Sequence, residues 1–280
     1  MNVQETEHAM NLDVVDLKPQ HFQKISAMVY QTAGINLKQG KEALVRARLM
    51  KRLRSLGIGR VEDYLEFLDS EQGSQEVARL IDVMTTNQTS FFREMDHFSF
   101  LRDTVLPELT RPRLRFWSAA CSSGEEAYTL AIILREHLPG VECRDVRILA
   151  TDISRRMLDK AGRAVYPKQA IEAVPSPQYR KYFIPVRNGR PGTVQVGAEA
   201  RELVHLAYLN LMEPWPMRGR FHVIFCRNVM IYFDRPTQQE LVRRFWDVLE
   251  DGGYLFVGHS EGLSAIQHRF RYVRPAIYRK

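Results

Sequence analysis

The stretch "RLRFWSAACSSGEEAYTLAIILREHL", residues 113–138, has the order that decides the fold: an apolar strand-like run, a loop of small residues and a helix. Further strand-like runs alternate with helical segments, at residues 145–152, 202–210, 221–228 and 252–259. This alternation predicts an α/β domain with a mostly parallel sheet and helices on both of its faces. The last residues, "FRYVRPAIYRK", predict one antiparallel strand at the sheet edge.

The chain before residue 113 has a helical rhythm instead. In "KEALVRARLMKRLRSLG", Val45, Leu49 and Leu53 form one apolar stripe that stops at Gly57. We therefore predict four parts: a flexible lead at residues 1–17, an all-helical domain at 18–84, a linker with a helix at 85–112, and the α/β domain at 113–280.

One segment interrupts the alternation of strands and helices. Asn-Gly at residues 188–189 and Pro-Gly at 191–192 are turn signals, and the run "TVQV" at 193–196 alternates in polarity. This pattern predicts a small antiparallel β subdomain at residues 184–202, inserted before the third strand of the main sheet.

Composition restricts the class of protein. The chain has 280 residues, a formal charge of +7 and three cysteines without metal-ligand spacing. The first residues lack the apolar core of a signal peptide, and no run approaches the ~18 apolar residues of a membrane span. We expect a cytoplasmic protein without disulfides or a metal. The positive charge favours an acidic partner, which includes nucleic acid, an anionic membrane and a carboxylate-rich protein.

In open parallel sheets, ligands bind beyond the carboxyl ends of the strands. The first such loop, "ACSSGEEAY", has a single turn glycine, Gly124, and neither of the glycine-rich phosphate motifs. Its helix instead begins with Glu125 and Glu126, which repel phosphate and attract a cation. Acids at this position are also ordinary helix-capping residues.

The second strand ends at Asp152, where an acid commonly binds ribose hydroxyls. Asp152 follows Gly124 by 28 residues, somewhat more than the ~20 of the dinucleotide pattern. The alternative is that Asp152 caps the next helix. The site thus has an acid suited to a ribose, two acids suited to a cation, and no glycine-rich loop for a phosphate. These three features together fit S-adenosylmethionine.

Five motifs in order resemble those of one family: "TTNQTSFFRE", "WSAACSSGEEAY", "ATDIS", "FCRNVMIYFD" and "VGHSEGL". The chain is similar in these to the chemotaxis receptor methyltransferases, the CheR family, from about residue 18 to the C-terminus. The resemblance implies a class I, Rossmann-like methyltransferase fold that uses S-adenosylmethionine and releases S-adenosylhomocysteine. It also implies a reaction, O-methylation of glutamates on the cytoplasmic methylation helices of chemoreceptors.

The resemblance also implies roles for particular residues. Arg93 and Tyr232 would lie closest to the transferred methyl group. Residues that would bind the cofactor are Asn87, Thr89, Arg93, Glu126 at its methionine end, Asp152 at its ribose, and Asn210, Leu211, Arg227 and Asn228 near its adenosine. For Tyr232 the alternative is a buried core tyrosine. For Phe91 and Phe92 the alternative to a role at the site is packing between the two modules.

The helical domain has a basic edge that we interpret as a receptor-docking surface. Lys41, Arg48 and Arg52 fall along one side of the apolar stripe, with Lys51 close by. The alternative is an ordinary solvated face. The β subdomain resembles the receptor-tethering part of the family, which in some members binds a receptor C-terminal peptide as an added strand.

Other functions compete with this assignment. A nucleic-acid methyltransferase would suit the basic charge, but "RNVMIYF" at residues 227–233 lacks the Asp/Asn-Pro-Pro-aromatic loop of enzymes that methylate base amino groups. A binding module without turnover is a second alternative, and a nicotinamide oxidoreductase is a third that the missing glycines disfavour. We expect a monomer that does not bind nucleic acid and meets the membrane only through receptors.

Overall fold

The computed structural model describes residues 16–186 and 191–280. The predicted lead at residues 1–17 therefore falls almost wholly outside the described residues, and so does the Asn-Gly pair at 188–189. The chain forms two compact units, Met1–Thr86 and Asn87–Lys280. Residues 87–112, which we predicted as a separate linker, thus belong to the second unit.

The first unit is helical. Its helices are α1 Pro19–Ala33, α2 Glu42–Leu56, α3 Val61–Asp69 and α4 Ser74–Met84. The stripe of Val45, Leu49 and Leu53 is fully buried, as its spacing predicts. Helix α2 ends at Gly57, whose φ of 69° suits the left-handed cap that glycine adopts without steric cost.

The second unit begins with a helical region of its own. Helix α5 covers Met95–Phe100 and continues through a π-helical stretch, Leu101–Val105, into the short α6, Leu106–Glu108. The remaining helices are α7 Glu125–His137, α8 Arg155–Arg163, α9 Pro177–Arg180, α10 Ala198–Arg201 and α11 Arg235–Val248.

A seven-stranded sheet forms the centre of this unit. Its strands are β1 Arg113–Ala119, β2 Asp145–Asp152, β6 Val204–Tyr208, β7 Phe221–Cys226, β8 Leu249–Val257, β9 Arg271–Arg274 and β10 Ile277–Arg279, in the order β6-β2-β1-β7-β8-β10-β9. The first five are parallel, which confirms the predicted sheet. The predicted antiparallel edge strand is present, but it is one of two, because β10 and β9 form a hairpin and both run antiparallel to their neighbours.

A second, three-stranded antiparallel sheet is also present. Its strands are β3 Val165–Pro167, β4 Phe183–Pro185 and β5 Thr193–Val196, in the order β3-β5-β4. The predicted run at 193–196 is its central strand. The predicted range of 184–202 is too short, since β3 lies well before it and pairs with β5 through Val165 and Gln195.

Phe91 and Phe92 are core residues of the second unit. The Phe91 ring packs edge-to-face on Tyr166 and Phe183 of the small sheet, at centroid distances of 4.8 Å each. Phe92 stacks on Tyr179 at 5.0 Å. Both phenylalanines are packing residues, but the expectation that they pack between the two modules was wrong for these contacts, because their partners belong to the same unit.

Within the described residues, no helix combines the length and apolar character needed to cross a membrane.

Candidate functional site

The loop after β1 has a tight and unusual backbone. Ala120, Ser122 and Gly124 all have positive φ, at 65°, 49° and 97°. At Gly124 a glycine is required for space as well, because a Cβ there would lie 2.9 Å from the Cβ of Ala161. This close approach of α7 to α8 brings the loop within reach of the end of β2.

Asp152 joins that loop to the loop after β2. One of its carboxylate oxygens accepts the backbone N–H of Ser122 at 2.7 Å, and the other accepts that of Ser154 at 2.8 Å. The capping side chain of α8 is that of Ser154, which accepts the N–H of Met157, so Asp152 is not the cap itself. A carboxylate has about four acceptor sites, so these bonds are compatible with donors from a ribose.

Glu126 points toward the carboxyl end of β1. It accepts a hydrogen bond from Ser118 Oγ at 2.7 Å and from Arg227 Nη1 at 3.0 Å. Burial raises the pKa of Glu126, while Arg227 and Ser118 oppose that shift by favouring the ionised form. Its neighbour Glu125 accepts from Ser123 Oγ at 2.8 Å and so closes its own turn.

Arg227, just after β7, connects three segments. Its side chain is only 2% exposed and its Nη2 lies 3.0 Å from Glu94 Oε2, opposite the pair with Glu126. It also donates to the backbone oxygen of Arg93 at 2.6 Å. We call Glu94, Arg227 and Glu126 the Arg227 network. It ties the segment at 85–94 to the loops after β1 and β7.

The segment at 85–94 contacts the same region through its backbone. Ser122 Oγ donates to the carbonyl of Asn87 at 3.1 Å, and the Phe92 N–H donates to Thr129 Oγ1 at 3.1 Å. The half-exposed Arg93 donates to the carbonyl of Gln88 at 3.0 Å. Thr89, also predicted for the site, is partly buried in this segment.

Glu94 also belongs to a cluster with His97 and His259, whose potential ligand atoms lie within 4.8 Å of one another. Burial, reinforced by Arg227, lowers the pKa of His97 to about 4, against the opposing charge of Glu94. For Glu94, burial alone would raise the pKa, but Arg227 outweighs burial and the pKa is lowered. The Arg227 guanidinium therefore already provides a positive charge beside the Glu94 carboxylate.

The loop after β7 is held by a residue that the sequence analysis missed. Glu261 is 7% exposed and accepts backbone N–H groups from Asn228 at 2.6 Å, Ile231 at 3.0 Å and Gly258 at 2.7 Å. Tyr232 ends the helical turn Met230–Tyr232 inside this loop and is partly buried. The available signal was "VGHSEGL", an acid directly after the last parallel strand.

Asn210 and Leu211 lie in the loop after β6. Asn210 is 2% exposed and accepts the N–H of Met212 at 3.0 Å through its side chain. The backbone N–H of Leu209 donates to the carbonyl of Asp152 at 3.1 Å, so this loop adjoins the end of β2. The loops after four neighbouring strands therefore meet at the carboxyl ends of those strands, as their sequence positions predict.

The four predicted docking cations lie in the helical unit and differ in their surroundings. Lys41 and Lys51 are exposed. Arg48 donates to Thr86 Oγ1 at 2.8 Å and to the carbonyl of Met84. Arg52 forms a two-pronged ion pair with the buried Glu76, so its charge is already balanced inside the domain.

Comparison with known proteins agrees with this geometry. Residues 87–278 match the family model "CheR methyltransferase, SAM binding domain", and residues 20–85 match "CheR methyltransferase, all-alpha domain". The chain is 41% identical to a probable chemotaxis protein methyltransferase of Rhizobium etli, over 90% of this chain and 96% of that protein. It is 40% identical to the chemotaxis protein methyltransferase of Escherichia coli K12, over 94% of this chain and 91% of that protein.

The fold and the site define a methyltransferase of class I that uses S-adenosylmethionine. Within that class, the chain belongs to the CheR family, and it contains both domains of that family in sequence order. The relatives that it matches over most of their length are chemotaxis protein methyltransferases.

Proposed function

We propose that this enzyme methylates glutamate carboxylates of chemoreceptors at the carboxyl edge of the main sheet. The observation that carries the proposal is that Asp152 and Glu126 both lie there, beside loops that lack a phosphate cradle. S-adenosylmethionine supplies the methyl group and leaves as S-adenosylhomocysteine.

The residues named for this site suit that ligand. Asp152 would hold the ribose, and the acidic side of the Arg227 network would face the positively charged methionine end. Residues proposed to complete the cofactor site are Asn87, Thr89, Arg93, Asn210, Leu211 and Asn228.

The reaction needs no general base. A glutamate carboxylate is ionised near neutral pH, with an ordinary pKa of about 4.3. An anion and a cation give neutral products, so a guanidinium clamped on the attacking oxygen would stabilise the ground state more than the transition state. Arg93, which donates to a backbone carbonyl, and Tyr232 would therefore align the reacting groups and exclude water.

The decisive experiment uses labelled S-adenosylmethionine with chemoreceptor-bearing membranes, followed by mild base. Methyl esters release labelled methanol, whereas N-methyl groups do not. Label that stays on the protein through base, or appears on added nucleic acid, would refute glutamate esterification.

Asp152 is the residue to change in a test of the cofactor site. Asp152→Asn should weaken binding of S-adenosylhomocysteine at least 10-fold in calorimetry, because a ribose hydroxyl would lose a charged acceptor. Asp159→Asn, the same change at an exposed position of α8, is the matched control. Equal affinities of the two variants would contradict a role for Asp152 at the ribose.

We further propose that the basic edge of α2 binds the acidic methylation helices. Lys51 is the clearest probe, because it is exposed, whereas Arg48 and Arg52 have bonds inside the domain. Lys51→Glu should raise the receptor KM and weaken its dependence on salt. Arg163→Glu, an equal change of charge at an exposed position of the other unit, is the control. Equal effects of the two variants would refute a specific dock.

The small sheet is the proposed site for a receptor C-terminal peptide. In the order β3-β5-β4, strand β4 is an edge strand, and its Ile184 is 47% exposed. An extended peptide could pair with such an edge through its main chain. Ile184→Lys should abolish the difference in rate between receptors with and without that peptide, leaving the rate on the shorter receptor unchanged.

A further inference from the structure

A cavity lies at the amino ends of the parallel strands of the main sheet, whereas the candidate site lies at their carboxyl ends. It has a volume of about 580 Å³. It opens where β1, β2 and β7 begin, while the methyltransferase loops follow the other ends of those strands. Arginines and apolar side chains line it, together with His205, His222 and Glu250.

The cavity wall carries an excess of positive charge. Five arginines line it, and Arg115 lies directly opposite Arg147 in the pairing of β1 with β2. Like charges in this position repel unless an anion neutralises them. The Asp145 carboxylate forms ion pairs with Arg115 and Arg147, and it also lies 3.8 Å from Arg113.

The remaining acids do not balance the arginines. Glu250 lies 3.7 Å from Arg111, and Asp251 lies 4.0 Å from Arg220. Asp251 also lies 3.3 Å from Lys280. Among the described residues, these three acids are therefore shared by five arginines and one lysine, which leaves an excess of positive charge at the cavity. A phosphate monoester carries about −1.5 to −2 charges at pH 7, which matches this excess better than one carboxylate does.

The side chain of His222 has a buried hydrogen-bond donor without an acceptor in the described part of the chain, which is a second observation independent of the charge balance. It is 9% exposed, and its Nδ1 accepts the backbone N–H of Arg115 at 3.1 Å. Nε2 must then carry the proton of the neutral ring. This buried N–H has no hydrogen-bond partner among the described residues, although buried donors are normally paired.

Much of the remaining wall is apolar, and His205 is a further polar residue in it. Phe116 and Phe221 are buried, and Leu149 and Met217 also line the cavity. Ligand pockets of about 300–1,000 Å³ typically combine such walls with a few polar groups. We propose that this cavity binds a phosphorylated small molecule of nucleotide size, with the phosphate at the arginines and His222 and the organic part against the apolar wall.

Titration calorimetry on the full chain tests the proposal. The protein is first saturated with S-adenosylhomocysteine, so that the methyltransferase site does not take up the probe. AMP, GMP and inorganic phosphate are then added separately. We expect at least one nucleotide to bind with submillimolar affinity, and inorganic phosphate at least 10-fold more weakly.

The matched variants are Arg147→Gln in the cavity and Arg163→Gln outside it, both exposed arginines of this unit. Arg147→Gln should weaken nucleotide binding about 10-fold and leave S-adenosylhomocysteine binding unchanged, and Arg163→Gln should change neither. The His222 side-chain N–H resonance should also shift when the nucleotide binds. Absence of nucleotide binding at 10 mM, equal affinity for inorganic phosphate, or equal loss in both variants would overturn the proposal.

Discussion

Arg227 shows how a single residue can position several parts of the candidate site. It lies between Glu94 and Glu126, which come from segments far apart in the sequence. The sequence analysis assigned Arg227 and Glu126 separately, from a motif and from a helix start. Their contact depends on the packing of three loops, which no local pattern specifies.

Replacing Arg227 by methionine should destabilise the second unit. Two largely buried carboxylates would lose their shared cation, at a cost of about 3–5 kcal/mol. Urea unfolding followed by tryptophan fluorescence measures this change. Arg243→Met is the control, because Arg243 forms its ion pairs on the exposed face of α11 and should change stability little. Similar losses in both variants would contradict a structural role for the network.

His97 should make stability depend on pH. Burial lowers its pKa from an ordinary 6.5 to about 4, so the unfolded chain takes up this proton more readily than the folded one does. The contribution of neutral His97 is therefore present above pH 6.5 and is lost as the pH falls toward 4. At pH 5 the loss should be about 2 kcal/mol relative to pH 7.

The variant His97→Gln cannot take up this proton. It should lose less stability than the wild type between pH 7 and pH 5, whereas the exposed His205→Gln should follow the wild type. Asp96, Arg227 and His259 surround His97 in both forms and are unchanged by the substitution. Parallel pH profiles for wild type and His97→Gln would exclude the predicted shift.

At the scale of elements, the sequence pattern predicted β2 at its observed bounds and placed a helix after β1, where α7 lies. These elements are long enough for a pattern to repeat. Strand β3 was missed because it has three residues and pairs with a strand nearly thirty positions later. The second antiparallel strand was missed because β9 and β10 are separated by only two residues.

Glu261 organises an entire loop, and its substitution should affect catalysis. Glu261→Gln keeps the shape but places an NH₂ group against backbone N–H donors that the carboxylate now accepts. The loop with Asn228 and Tyr232 should shift, and kcat/KM should fall about 10-fold or more. Steady-state kinetics measure the change in kcat/KM, and Glu240→Gln on the exposed face of α11 is the control. Unchanged kinetics would show that the loop keeps its position without Glu261.

Gly124 fixes the distance between α7 and α8. Alanine there would need an unfavourable φ of 97° and would approach Ala161 to 2.9 Å. Gly124→Ala should therefore weaken S-adenosylhomocysteine binding at least 10-fold in calorimetry. Gly219→Ala is the matched control, since no atom lies within 4 Å of its added Cβ. Normal affinity in Gly124→Ala would mean that the first loop tolerates another backbone path.

At the scale of the whole molecule, each unit has its own buried core, and the proposed cofactor residues all belong to Asn87–Lys280. We predict that residues 87–280 alone bind S-adenosylhomocysteine within about threefold of the full chain but methylate receptors much more slowly. Calorimetry and the methanol-release assay measure the two properties. A shortened chain that methylates receptors at the full rate would contradict docking by the helical unit.

The position of Phe91 has a consequence for how two ligands would influence each other. Its ring contacts both outer strands of the small sheet, while its own backbone belongs to the segment that we propose for the cofactor site. If a tethered peptide makes that sheet more rigid and so tightens cofactor binding, thermodynamic reciprocity requires the cofactor to tighten peptide binding by the same factor. The enzyme with its cofactor bound would then bind its receptor more tightly than the empty enzyme does.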